Sequence, residues 1–177
     1  MRQALYRVSQ GLASLRAAMA ADDWALVSRH LSEAELSLFR SMQPQDQRHS
    51  VQVLRSLLAE GEEDEIILKA ALLHDVGKSR CRIGVFHRTL AVLAKAVFGE
   101  LPLFLCRTPG GGCWLPMYVI ASHARIGASM LAGAGCPERL WRLVELHELD
   151  PRTVGNLPDG QWVRRALAAL RRADNQN

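Results

Sequence analysis

Apolar residues recur along this chain at intervals of three and four, the period of an α-helix. No stretch shows the alternation of a half-buried strand, no pair of segments reads as a hairpin, and no internal repeat stands out. The Ala/Leu-rich start predicts a helix over 2–20, and Asp22 or Asp23 is placed to cap a short helix after it. Ser32 and Glu35 form an S-x-x-E capping box ahead of an LSLF run. Pro44 suits the first turn of a helix that runs to Glu60 and stops at Gly61. Asp64 opens a helix through IILKAALLHDV that is expected to end at Gly77.

The second half is more punctuated. Residues 79–88 read as irregular, and Thr89 to Gly99 as a helix limited by Pro102. RTPGGGCW, 107–114, is a loop, because three successive glycines hold a helix poorly. It lacks the G-K-[ST] that would make it a phosphate cradle. Met117 to Ala134 predicts a helix ended by Gly135, and Pro137 starts another reaching about Glu148. DPRTVGNLPDG is a loop, and Asp159 or Gly160 leads into a last helix that reaches Asp174. The fold class is therefore all-α, a bundle of about seven helices. Residues 1–43 are expected to supply N-terminal helices packed on a core domain formed by 44–177.

With 177 residues, 49% of them apolar, the chain can bury a sizeable core, which excludes wholesale disorder. Aromatic residues at 6% argue against a stacking platform for single strands. A net charge of +4 suits an anionic small molecule and gives no strong nucleic-acid signal. Of the 22 basic residues only Lys69, Lys78 and Lys95 are lysine, and arginine's planar fork matches phosphate, although a GC-rich genome gives the same bias. Cys81, Cys106, Cys113 and Cys136 form no C-x-x-C pair and read as reduced thiols of a cytoplasmic protein. Arg7 and Arg16 interrupt any signal-like run at the start. Leu90 to Cys106 is the most apolar later stretch. Lys95, Glu100 and Pro102 make it a buried helix rather than a bilayer span, with peripheral membrane contact as the alternative.

Polar residues on the apolar faces carry the chemistry. His49 shares a stripe with Val53 and Leu57, and His74 follows Ala70 and Ala71 in a nearly all-apolar helix. His123 leads into Ile126 and Met130, His147 follows Leu140, Leu143 and Val144, and Asp174 follows Leu167 and Leu170. Burying four imidazoles and two carboxylates without partners is expensive. A divalent cation removes that cost, and nitrogen with carboxylate oxygen suits iron, manganese, zinc, cobalt or nickel. The centre of the pattern is LLHDVGK, where His74 and Asp75 are adjacent. His30 reads as a surface residue of an inter-helix turn, and His87 as lying outside the cleft.

The order H…HD…H…H…D, carried by QRHSVQVLRSLL, ALLHDVGKS, ASHARIGASML, RLVELHE and ALRRADN, resembles the HD-domain metal-dependent phosphohydrolase superfamily from about Asp46 to Asp174. The resemblance implies an all-α fold with metal in its middle. It implies a first metal on His49, His74, Asp75 and Asp174, and a second on Asp75, His123 and His147, with Asp75 bridging. The two extra histidines are similar to the dinuclear branch. In similar proteins with an HD-x-G-K stretch the lysine, here Lys78, faces the substrate phosphate; its alternative role is a cation at a helix C-terminus. Arg80, Arg82, Arg88 and Arg125 are weaker phosphate candidates. Ala124 and Arg125 stand where related sequences often read Pro and Glu, and a single His147 followed by Glu148 stands where many have two histidines, so no third metal is implied. The G-Y-P signature of cyclic-di-GMP phosphodiesterases and the extra domains of alarmone synthetase/hydrolases are absent.

The implied activity is hydrolysis of a phosphate ester or anhydride of a nucleotide-like small molecule by a metal-activated water, with Asp75 and Lys78 in catalytic roles and two divalent transition-metal ions as cofactors. Two alternatives share the same ligands: an HD-fold di-iron oxygenase, and a non-catalytic signalling or scaffold domain. Asp174 lies in the last turn of its helix, where ends fray, so its role as a ligand requires that turn to be held.

Overall fold

The computed structural model describes residues 19–98, 115–154 and 159–177. Among them are eight α-helices, two 3₁₀ turns and no strand. The helix expected over 2–20, but for its last two residues, and the loop over 107–114 lie outside the described residues, as do Cys106 and Cys113.

Most helix starts follow the local signals. Helix α1, Ala21–His30, has its N-cap at Ala20, two or three residues before the acidic residues expected to cap it. Asp22 and Asp23 instead lie in its first turn, where the helix dipole favours them, and Asp23 accepts from the Ala20 N–H at 3.3 Å. Helix α2, Glu33–Ser41, carries the capping box in full: the Ser32 N–H donates to Glu35 at 2.8 Å and the Glu35 N–H to the Ser32 hydroxyl at 3.4 Å. Helix α3, Pro44–Ala59, begins on its proline, and the chain reverses through Gly61 at φ +81°, a region that glycine enters without Cβ strain. Helix α4, Glu65–Leu73, starts with Asp64 accepting from the Ile66 N–H at 3.0 Å.

Helix α4 ends at Leu73 rather than at Gly77. His74 and Asp75 form a turn, and Val76–Arg80 continue as 3₁₀. Packing explains the change. A Cβ on Gly77 would meet the His123 carbonyl oxygen at 2.0 Å and the Gly127 nitrogen at 2.7 Å, so this turn presses backbone to backbone on the next long helix. Residues 79–88 are also less irregular than expected. Helix α5, Val85–Phe98, starts four residues before Thr89. Its first turn is held by Arg88, which donates to both oxygens of Asp46 on α3 at 3.0 and 2.9 Å. That partner lies 42 positions away, so no local pattern announces it. On α5, Ala91 and Ala94 are buried while Phe86 is 73% and Leu93 57% exposed, and most of the 90–106 stretch expected to form a buried helix lies outside the residues whose burial is described.

Helix α6, Leu115–Gly133, is followed by Gly135 at φ +76°. Helix α7 spans Glu138–Leu146, and Pro151–Thr153 form a 3₁₀ turn inside the expected 150–160 loop. Helix α8, Gly160–Asn175, starts from Asp159 at φ 57°, where Arg139 donates to the Asp159 carboxylate at 2.7 Å. Asn177 ties the far end down, donating to the Ala173 carbonyl at 2.7 Å and to Ser56 of α3 at 3.0 Å. The turn that carries Asp174 is thereby held against α3.

Helix α4 is central. Ile67, Ala70, Ala71, Leu72 and Leu73 are fully inaccessible, and α3, α7 and α8 pack around it. Truncating one such leucine to alanine costs about 2–5 kcal/mol. Val27, Leu31 and Phe39 belong to the same core cluster, so α1 and α2 pack on it rather than forming a core of their own. Glu35 is buried with them and is held by Lys69 of α4 at 2.8 Å. No helix among the described residues is long and apolar enough to cross a membrane.

Candidate metal centre

The six residues nominated by the sequence converge on one cleft. His49 comes from α3, His74 and Asp75 from the turn after α4, His123 from α6, His147 from the end of α7 and Asp174 from the last turn of α8. Their imidazoles form a chain, with ring centroids 5.6 Å apart for His49 and His74, 5.3 Å for His74 and His147, and 5.1 Å for His147 and His123. The potential ligand atoms fall into two groups, each within 4.8 Å: His49, His74 and Asp174, and Asp75, His123 and His147.

Asp75 stands between the groups. Its Oδ2 is 3.8 Å from His74 Nε2 and its Oδ1 is 3.3 Å from His123 Nε2, so one carboxylate oxygen faces each side. Burial alone would raise its pKa, but His74, Lys78 and His123 outweigh that and hold the carboxyl well below the usual range. Lys78 donates to Asp75 Oδ2 at 2.6 Å. It sits within the 3₁₀ turn rather than at an α-helix terminus, which removes the helix-end role.

The histidine tautomers follow from the backbone. His74 Nδ1 lies 2.9 Å from the Ala71 carbonyl, His123 Nδ1 2.7 Å from Ile120, and His147 Nδ1 2.7 Å from Val144. A carbonyl oxygen only accepts, so each Nδ1 carries the proton and each Nε2 points inward. Burial, the largest influence on all three, lowers their pKa values and favours the neutral ring. A neutral imidazole protonated at Nδ1 presents a lone pair at Nε2. His123 and His147 therefore aim two lone pairs at each other across 3.3 Å. Two acceptors facing each other with no proton between them repel, and a cation bound by both removes the repulsion. With metal–nitrogen bonds of about 2.0–2.1 Å, neighbouring ligands on one ion sit about 3.0–3.4 Å apart. The donor set thus fits a divalent cation, and the carbonyl contacts are of the kind that orient histidine ligands.

The first group differs. His49 Nε2 lies 2.7 Å from Asp174 Oδ1, a hydrogen bond that raises the histidine pKa and lowers the carboxyl. A metal bound here would take the place of that shared proton. His74 Nε2 is 3.8 Å from the same Asp174 oxygen.

The groups open into one cleft of about 360 Å³, whose wall also carries Lys78, Ile120, Glu148, Arg171 and Asn175. Arg171 was not among the sequence candidates, although it stands three positions before Asp174 on one helix face. Glu148 Oε2 approaches His123 Nδ1 at 3.9 Å. The four arginines weighed from the sequence are elsewhere. Arg88 is taken by Asp46, Arg82 is exposed and away from the cleft, and Arg80 and Arg125 line a separate groove of about 800 Å³ beside Tyr118. His30 is not a surface residue of a turn: it ends α1, partly buried, 3.3 Å from Glu65. His87 is half-buried on α5, outside the cleft wall.

Comparison with family models, with curated proteins and with solved structures gives no match for this chain.

Proposed function

We propose that this chain is a metal-dependent phosphohydrolase of the HD-domain type, cleaving a phosphate ester or anhydride of a nucleotide-like small molecule. The observation that carries the reading is the convergence of the His123 and His147 lone pairs beside Asp75, with the His49, His74 and Asp174 group on its other side. Iron or manganese, or zinc, cobalt or nickel, bound to these donors would supply a water of lowered pKa and neutralise charge on phosphoryl oxygens.

The protein's own residues do the rest. The Ala71, Ile120 and Val144 carbonyls keep three imidazoles in the tautomer that presents Nε2 to the cleft. Asp75, ionised and buried, offers one oxygen to each ligand group and tethers the Lys78 ammonium. Lys78 and Arg171 put two cations on the wall of the cleft. Fixed positive charge beside the reaction centre favours an anionic phosphoryl substrate over a neutral organic one, and so hydrolysis over oxygenation. A volume of about 360 Å³ suits a small molecule rather than a polymer. In this reading the protein works in the cytoplasm, with Cys81 and Cys136 as free thiols.

The test is elemental analysis of untagged protein purified anaerobically, followed by a phosphatase and nucleotidase screen. About two equivalents of transition metal with phosphate release support the reading. Oxygen uptake with an organic substrate and no phosphate release replaces it with the oxygenase. Protein that neither retains nor takes up metal overturns it in favour of a non-catalytic domain.

A further inference from the structure

The metal cleft does not end at its ligands. Arg171 and Asn175, which line it, also line a neighbouring groove of about 710 Å³ together with Arg152, Ala168, Arg172 and Gln176. The two hollows therefore share a wall, one face of the last two turns of α8. Arg171 lies three residues before Asp174, about 4.5 Å of helix rise. Arg152 reaches the groove from the 3₁₀ turn Pro151–Thr153, whose start is capped by Asp150 accepting from the Arg152 N–H at 2.9 Å.

The groove's charges are unequally committed. Arg172 is spent on Glu60, donating to its carboxylate at 3.1 Å through Nε. Asp150 is occupied in capping. Arg152 and Arg171 pair with no carboxylate among the described residues, and both are exposed. Two uncommitted guanidinium groups facing one hollow repel each other modestly, and an anion between them relieves that. The amide of Asn175 adds neutral donors on the same wall, while the Gln176 side chain is hydrogen-bonded to Glu60. Guanidinium forks and amide donors are a phosphate-recognition set, since the fork places two parallel N–H groups on two phosphoryl oxygens.

We infer that the ligand of this site carries a second phosphoryl group, held by Arg171 and Arg152 in the groove beside the metal cleft, so that diphosphates and higher polyphosphates are bound in preference to monophosphates. The inference rests on the proposed function for the location of the first phosphoryl group. It adds Arg171 as the residue that sets specificity, because Arg171 alone of the two arginines lines both hollows.

The probes are methylenediphosphonate, a diphosphate that resists hydrolysis, and inorganic phosphate. Each is titrated calorimetrically into metal-loaded protein, with metal content measured before and after so that chelation is not read as binding. The wild type is expected to bind the diphosphonate about tenfold more tightly than phosphate, the worth of one added charge-assisted contact. Arg171→Ala is expected to remove most of that preference, weakening phosphate as well but by a smaller factor, since Arg171 also lines the metal cleft. Arg171→Lys is expected to restore part of it, and Arg152→Ala to weaken the diphosphonate alone. Equal affinity for the two probes in the wild type overturns the inference, as does a preference that survives in Arg171→Ala with native circular dichroism. Metal-loaded protein that hydrolyses no phosphate compound but keeps the Arg171-dependent preference fails the proposed function and leaves this inference standing. Protein that hydrolyses monophosphates without any such preference does the reverse.

Discussion

Gly77 packs directly on the backbone of His123: a Cβ at position 77 would lie 2.0 Å from the His123 carbonyl oxygen. This contact joins the turn that carries His74 and Asp75 to the helix that carries His123. It sets the 3.3 Å approach of Asp75 Oδ1 to His123 Nε2. The glycine is required for want of space rather than for an unusual φ. Gly77→Ala is therefore expected to destabilise the fold by about 1–3 kcal/mol, as overpacking does, and to lower metal retention with it. Thermal unfolding with parallel elemental analysis checks this; a variant with wild-type melting and wild-type metal content would show that the two backbones have room to part.

Asp75→Ala removes the carboxylate that faces both ligand groups. Metal retention and turnover should be lost while the helical circular dichroism is largely kept, because the core residues of α4 lie before the turn. Full activity in this variant would remove the central claim.

His123 belongs to the group with Asp75 and His147, and His49 to the group with His74 and Asp174. His123→Ala is expected to cost the former group its metal more than the latter, and His49→Ala the reverse. Metal stoichiometry of the two variants reads this out, and equal loss of both ions from each folded variant counts against two separable sites.

Glu35 supplies a pH test away from the centre. Burial raises its carboxyl, but hydrogen bonds from Lys69 and Ser32 outweigh burial, and the folded pKa lies below the ordinary 4.5. A carboxyl depressed in the folded state stabilises it above the unfolded pKa, and that stabilisation is lost as pH falls through the folded pKa. Glu35→Gln keeps a side chain able to complete the capping box and loses the ion pair. Urea unfolding should show the wild type more stable than the variant near neutrality, with the gap closing below about pH 4.5. Parallel stability curves across that range would mean that the pair contributes nothing.

Lys69→Met should be worse than Glu35→Gln at neutral pH, since it leaves a carboxylate buried without its cation, a loss of about 3 kcal/mol. Equal destabilisation of the two variants by urea titration at pH 7 would refute that ordering.

What the sequence determined by itself was what one or two turns of helix decide. The Ser32–Glu35 box, Pro44 at a first turn, Asp64 as a cap and the reversals at Gly61 and Gly135 are all satisfied by bonds or dihedrals within a few residues. The helical period also placed His49, His74, His123 and His147 on core-facing stripes, because side-chain direction follows from position along the helix. Tertiary structure decided the rest, where the partner is remote in sequence. His49 meets Asp174 across 125 positions. Arg88 starts α5 early because Asp46 waits on α3, and α4 stops at Leu73 because Gly77 must press on α6. Lys78 turns to Asp75, and Arg171 joins the cleft through the packing of α8. A sequence pattern gives the face on which a residue lies. Which residue it meets depends on how whole helices pack, and that is settled by the shared core rather than by any local segment.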